Sequence, residues 1–258
     1  MNLSGIVLAG GKSKRFGFNK VKIKVERIPL LIDQIFKLSF FCNEVLISTN
    51  KKNYSAITNE IRKIENYYKY YCCLGKTKEI PPIRVVVDED NLGSTDFGNI
   101  GPLGGLYVGL KNAMNFYCMV LAFDMPFVSY NLLKLLVDKK KNSQNRPLDA
   151  VVVRTKKGFE VLCGLYSKNC IRIIRENIER KIYKVSNIFS DLDIRIISED
   201  ELVRYGIDQL NFFNINTTKD NNNFKRIWDK EGLKYDSCNF SSRFCEKWQN
   251  FFYRKIGK

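Results

Sequence analysis

Lys12, Lys14, Arg15 and Lys20 share one short stretch with Gly10, Gly11 and Gly17, directly after the apolar run Ile6-Val7-Leu8-Ala9. Glycines let backbone N–H groups approach an anion closely, and the cations add charge. A strand ending this way points to a phosphate cradle. The spacing is not that of a P-loop, because no Gly-Lys-Ser/Thr closes it, and it is not GxGxxG. Carboxylates at strand ends form a second candidate. Asp124 follows the apolar run Tyr117 to Phe123 and precedes Met125-Pro126, while Asp88 or Asp90 follows Ile83 to Val87. A carboxylate at a buried strand edge needs a partner, and a hard cation is a natural one; capping a turn is the alternative. The third candidate is Gly101-Pro102-Leu103-Gly104-Gly105-Leu106. Glycine inside a helix costs about 1 kcal/mol, so Gly104-Gly105 argues for close approach of a ligand or of a neighbouring element.

Composition removes whole classes of chemistry. The 258 residues include no histidine, which excludes Ser-His-Asp and Cys-His nucleophiles and His-ligated zinc. The formal net charge is +16. Its lysines and arginines are spread along the chain, which reads first as a compositional bias giving a basic surface. A polyanionic small substrate also fits, ahead of nucleic acid. Eight cysteines with no CxxC read as reduced, mostly buried thiols. No apolar run approaches the roughly 20 residues of a membrane span. The first residues read as a strand rather than a signal peptide, so the expected location is the cytoplasm.

The elements that must hold these groups alternate. Strands are expected at 4–9, Glu44 to Thr49, Ile83 to Val87, Tyr117 to Phe123 and Ala150 to Val153, with helices over Pro29 to Phe41, from Pro102, and from a Ser129 cap through Leu136. Residues 51–70 are polar and helix-compatible. Further strands are expected at Leu162 to Tyr166, 193–198 and Phe212 to Ile215, with helices at 168–178 and 199–204. Continuous apolar strands alternating with helices predict an α/β three-layer sandwich around a mostly parallel, Rossmann-like sheet. In such a sheet, ligands bind beyond the carboxyl ends of the strands. The division expected is residues 1–222 as the main domain and 223–258 as a basic, aromatic extension, either docked or an interaction segment.

The run LAGGKSKRFGFNK resembles the LAGGxSxRMGxxK signature of the molybdenum cofactor guanylyltransferases, within the nucleotidyltransferase superfamily. Phe16 replaces the usual Met. Further blocks follow in the family's order: Val86 to Glu89, Gly101 to Leu106, Ala122 to Phe127, and Phe213 to Thr217. Phe159 to Tyr166 is similar to the family's EPLxALY block, with Val161 in place of Pro. The fold implied is the nucleotide-diphospho-sugar transferase type.

The resemblance implies an enzyme that transfers GMP from GTP to the terminal phosphate of molybdopterin. Pyrophosphate leaves, and the guanine dinucleotide form of the molybdenum cofactor results. It implies that Leu8, Ala9 and Gly10 lie along the nucleotide, that Gly11, Ser13 and Arg15 shape the phosphate turn, and that Lys20 contacts phosphates. Asp88 would contact guanine or ribose, with Asp90 as its competitor. Asp124 would bind magnesium (Mg2+). Asn214 and Asn216 would close the site and help the metal or the acceptor. Relatives often carry Asn near the end of the second strand; Ser48 and Asn50 flank that place here, and Ser48 is carried as a nucleotide contact. Arg15, Lys20 and Asp124 are the expected catalytic groups. Proteins that deliver molybdopterin or receive the product are possible partners. The alternatives are transfer to another phosphorylated acceptor (cobinamide phosphate, phospholactate or a sugar phosphate), cytidylyl transfer to molybdopterin, a non-catalytic adaptor, and a nucleic-acid binder using the tail.

Overall fold

Every residue of β1 (Leu3–Leu8) is buried, the mark of a central strand covered on both faces rather than an alternating, half-wet one. Parallel neighbours flank it: β4 (Glu44–Thr49) on one side and β6 (Tyr117–Ala122) on the other. The computed structural model describes residues 1–10, 21, 23–25, 28–73, 80–87, 100–143 and 147–236, with backbone only at 69–73 and 231–236. β5 (Ile83–Val87), β7 (Ala150–Thr155), β8 (Gly158–Ser167) and β9 (Ile194–Ile197) complete a seven-stranded sheet in the order β5-β4-β1-β6-β8-β7-β9. Among the described residues, β8 is the strand that runs against its neighbours, antiparallel to both β6 and β7. A small antiparallel ribbon, β2 (Lys24–Val25) with β3 (Ile28–Pro29), precedes the first helix.

Successive residues of a strand face opposite ways, and the two faces carry separate cores. Val7, Val45, Met119, Leu121, Val151 and Val153 meet α1 (Leu30–Ser39) and α5 (Tyr130–Lys141). On the opposite face, Ile6, Leu8, Leu46, Val120 and Val152 meet α4 (Pro102–Asn112) and α6 (Cys170–Glu179). This is the expected α/β arrangement of helix, sheet and helix layers. Ser129 caps α5 as its sequence predicts, its hydroxyl accepting the Leu132 N–H. The polar stretch after β4 forms two helices, α2 (Lys51–Ile61) and α3 (Ile64–Cys73).

Gly105 and Gly109 of α4 face the sheet. A Cβ on Gly105 would lie 3.3 Å from Leu8 Cδ2 and 3.4 Å from the Ser48 hydroxyl, and one on Gly109 would lie 2.7 Å from Ile6 Cγ2. At both positions the close approach is that of a neighbouring element. Gly101, which caps the helix, has a φ of +80° with open space around it, so it serves the turn rather than packing.

The expected strand over Phe212 to Ile215 does not form. Gln209–Phe212 makes a 3-10 turn instead. The Asp208 side chain accepts the Leu210 N–H, the Phe213 N–H bonds to the Leu210 carbonyl, and Asn211 reaches across to the Ser129 N–H. These local bonds take the groups a strand ladder would need. The Ile215 N–H turns back to the Asp124 carbonyl just beyond β6. α7 (Glu199–Arg204) carries a capping box between Ser198 and Glu201.

α8 (Thr218–Asp236) runs through residue 222 without a break. Its Phe224 is buried, with Ile227 and Trp228 beside it, in a third cluster holding Ile23, Val25, Leu30, Phe127 and Ile215. Phe127 is the hub, with ring centroids 5.6 Å from Phe224 and 5.9 Å from Trp228. Among the described residues, no helix is long and apolar enough to cross a membrane. Cys42, Cys118, Cys163 and Cys170 are free and buried. Burial pushes all these thiols up, those of Cys118 and Cys170 to about 12.

Candidate nucleotide site

The chain leaves β1 along a fixed path. The Ala9 N–H bonds to the Ser48 carbonyl at 2.8 Å, extending the β1–β4 ladder by one step. The Ala9 carbonyl accepts the Thr49 hydroxyl and the Asn53 amide, each at 3.4 Å, and the Gly10 carbonyl accepts the Asn50 amide at 3.2 Å. Asn50 also caps α2, its Oδ1 accepting the Asn53 N–H. The first turn of α2 therefore holds Ala9 and Gly10 at the mouth of the glycine-rich stretch. Ser48 itself is buried beneath Gly105. The sequence-predicted residues Gly11, Ser13, Arg15 and Lys20, with Asp88 and its competitor Asp90, lie outside the described residues.

Asp124 stands at the adjacent strand end. Leu8 pairs with Ala122 across β1 and β6, and the Phe123 N–H bonds to the Leu8 carbonyl at 3.2 Å. Asp124 is half-buried, and its carbonyl accepts the Ile215 N–H at 2.9 Å. Two side chains of α1 brace the next two residues. Gln34 Nε2 donates to the Met125 carbonyl at 3.0 Å, and Lys37 Nζ donates to the Pro126 carbonyl at 3.2 Å. Lys37 pairs with Asp33 at 2.7 Å, with side chains 1% and 2% exposed. A buried charge needs such a partner, and here the pair also fixes the backbone that carries Asp124.

The described donor set does not build a protein cage for a metal ion. Among the described residues no cluster of three or more His, Cys, Asp or Glu side chains could hold a metal. A lone half-buried carboxylate such as Asp124 suits a hard divalent cation that takes one or two carboxylates and fills its shell with water and substrate oxygens. Asn214 and Asn216 lie on the segment tied to Asp124. The Asn214 amide donates to the Phe212 carbonyl at 3.1 Å. Asn216 is exposed at the start of α8, where its N–H and that of Thr217 bond to Asp220 Oδ2.

The structure thus brings Leu8, Ala9, Gly10, Asp124, Asn214 and Asn216 to one end of the sheet. Sequence reasoning missed the Asp33–Lys37 pair, Gln34 and Asn53. Asp33 and Lys37 had a legible signal: opposite charges at helical spacing among Leu30, Leu31, Ile35 and Leu38, on a helix whose other residues are mostly apolar.

Fold and strand-end groups together define an α/β nucleotidyltransferase-type protein, with its ligand across the carboxyl ends of the strands. Residues 5–191 match the model of the MobA-like NTP transferase domain, and the chain belongs to that family. It is 29% identical over 220 residues to the probable molybdenum cofactor guanylyltransferase of Pelotomaculum thermopropionicum, covering 85% of this chain and 90% of that one. It is 25% identical over 235 residues to the molybdenum cofactor guanylyltransferase of Syntrophotalea carbinolica, covering 91% and 96%. The fold is similar to that of molybdopterin-guanine dinucleotide biosynthesis protein A from Archaeoglobus fulgidus, with a TM-score of 0.64, 20% identity and coverage of 88% and 100%. It is also similar to 4-diphosphocytidyl-2C-methyl-D-erythritol synthase from Anaerococcus prevotii, with a TM-score of 0.58, 14% identity and coverage of 89% and 96%.

Proposed function

We propose that this protein transfers GMP from GTP to the terminal phosphate of molybdopterin. An oxygen of the acceptor phosphate forms a bond to the α-phosphorus. The bond from the α-phosphorus to the bridging oxygen breaks, and its electron pair leaves with pyrophosphate. One observation carries the reading: the Asp124 carboxylate is held on a braced turn directly beside the strand end that feeds the glycine-rich, cationic stretch. Family membership and the names of the relatives support the choice of nucleotide and acceptor.

The acceptor phosphate is already anionic, so the reaction asks for positioning and charge neutralisation rather than a strong base. That suits a chain without histidine. In this reading Leu8, Ala9 and Gly10 line the nucleotide, with Ser48 beneath them and Asp88 as a base or ribose contact. Gly11 and Ser13 shape the phosphate turn, Arg15 and Lys20 hold phosphates, and Asn214 and Asn216 close the acceptor side. Asp124 would hold the Mg2+, which when bound supplies positive charge to the phosphate oxygens. Proteins that deliver the pterin or receive the product are the proposed macromolecular partners, and nucleic acid is not one. We assign the reaction to the cytoplasm, in keeping with the free, buried thiols.

The test is Asp124→Ala in a pyrophosphate-release assay with Mg2+, GTP and molybdopterin. Turnover should fall by about 100-fold or more, with the melting temperature near that of the wild type. A folded variant at wild-type rate contradicts the assignment.

A further inference from the structure

Beyond Asp124, on the side away from β1, a cavity of about 400 Å³ opens between the β7–β8 turn and the 208–213 segment. Phe212, Phe213 and Leu210 give it apolar walls, and Glu160, Thr155 and Asp208 supply polar groups. Its volume suits a flat bicyclic ligand. It lies at the same end of the sheet as Asp124. Leu121 of β6 pairs with Cys163 of β8; Asp124 follows Leu121 by three residues in the turn after β6, and Glu160 precedes Cys163 by three residues on the antiparallel β8. The cavity wall is also tied to the Asp124 turn: the Phe213 ring packs edge-on against Phe127 at 5.8 Å, and Ile215 bonds to the Asp124 carbonyl.

A register shift aims Glu160 into this space. Strict alternation along β8 would put Phe159 and Val161 on the same face as Cys163 and Leu165. Instead Cys163 and Leu165 join the α1/α5 core, while Phe159 and Val161 pack into the α4/α6 core. The β7–β8 pairing slips between Val152 and Arg154, and the Tyr166 hydroxyl donates to the Val161 carbonyl at 2.7 Å at the irregular place. Such irregularities commonly re-aim a side chain next to a functional site. The result is a half-buried Glu160 whose Oε1 accepts the Thr155 hydroxyl at 3.1 Å. Burial pushes its carboxyl above the usual carboxylate range, with the Thr155 hydrogen bond and Lys157 pulling the other way. A neighbouring pair of N–H donors would complete its bonding.

We infer that this cavity takes a 2-amino-4-oxopyrimidine ring, stacked on Phe212 and Phe213 and paired through its adjacent N–H groups with the Glu160 carboxylate. Pterin and guanine both present that edge. The position favours the pterin. Leu8, Ala9 and Gly10 lie on the β1 side of Asp124 and the cavity on the β8 side, so a nucleotide lying along Leu8 to Gly10 and an acceptor in the cavity would approach the Asp124 turn from opposite flanks. The assignment of the ring to the acceptor rests on the transferase reading above; the ring-binding cavity itself does not.

Fluorescence titration of the full chain with free pterin tests the cavity without any transfer chemistry. Lumazine, which carries oxygen in place of the 2-amino group, is the comparison. Pterin should bind at least about tenfold more tightly than lumazine, since a polar site left without its partner discriminates strongly. Glu160→Gln should remove most of that preference, with melting curves confirming the fold. Equal binding of the two rings by the wild-type protein, or no binding of either, overturns the inference. Steady-state kinetics then separates the two sources of the ring. Glu160→Gln should raise KM for molybdopterin about tenfold and leave KM for GTP unchanged; the reverse pattern would overturn the acceptor assignment by giving the cavity to guanine. If pyrophosphate release is absent while pterin is still selected through Glu160, the transferase reading fails and the cavity stands.

Discussion

A lysine side chain that is 1% exposed is rare enough to need a reason. Lys37 has two: the Asp33 carboxylate and the Pro126 carbonyl. Removing one member of a buried pair leaves the other charge unpaired, at a cost of about 3–5 kcal/mol. Lys37→Met should therefore lower the urea midpoint strongly, and pairing it with Asp33→Leu should recover much of the loss. Both variants lack the hydrogen bond to Pro126, so both should turn over more slowly than the wild type. A double variant with wild-type stability and rate would remove Lys37 from the account of the site. Asp124 was legible in the sequence because an apolar strand ended on it. Lys37 was harder to see, since a charge in a helix ordinarily reads as a solvated face and its partner carbonyl lies far along the chain. Ser48 shows the converse. Its place at a strand end was legible, but its burial under Gly105 depends on how closely α4 approaches.

At the scale of elements, α4 shows how a poor helix sequence serves a close contact. Ala at Gly109 would gain about 1 kcal/mol of helix propensity, yet its Cβ would meet Ile6 Cγ2 at 2.7 Å in a filled core. Ile6 is β-branched and cannot swing away. Gly109→Ala should destabilise by about 1–3 kcal/mol in denaturant unfolding, and a stabilised variant would contradict the packing argument. Gly105→Ala, with contacts of 3.3 and 3.4 Å, should cost less. The parallel strands were readable because burial on both faces leaves short continuous apolar runs, as with Val45, Leu46 and Ile47 in Glu44–Thr49, where the observed bounds match the expected ones. The segment 212–215 was not. Its apolar run mimics a strand; the Asp208 cap on the Leu210 N–H is local, while the Asn211 bond to the Ser129 N–H that also holds the turn depends on a partner brought in by folding.

At the scale of the whole molecule, the sheet separates stability from chemistry. Glu44 begins β4, at the end of the sheet opposite Asp124. It is buried and accepts bonds from the Ser4 hydroxyl at 2.6 Å, the Met114 N–H and Arg84 at 2.8 Å, joining β1, β5 and the loop after α4. Burial alone would raise its pKa, but these donors and the Arg84 charge outweigh it and hold the carboxyl below its ordinary value. A depressed carboxyl stabilises the fold above its unfolded pKa of about 4.3, and that contribution is lost as pH falls through the folded value. Glu44→Gln should thus lower stability at pH 7 by about 1–3 kcal/mol, with the gap from wild type shrinking as the pH drops below about 4. A pH-independent gap in urea midpoints would contradict the linkage.

The central claim is transfer of a guanylyl group, and the label on the phosphate follows it most directly. The protein would be incubated with Mg2+, molybdopterin and GTP labelled at either the α- or the γ-phosphate. The account predicts that α-label appears in a pterin dinucleotide while γ-label leaves entirely as pyrophosphate, with CTP, ATP and UTP transferring little. Label released as inorganic phosphate, or α-label transferred equally well from CTP, would contradict it.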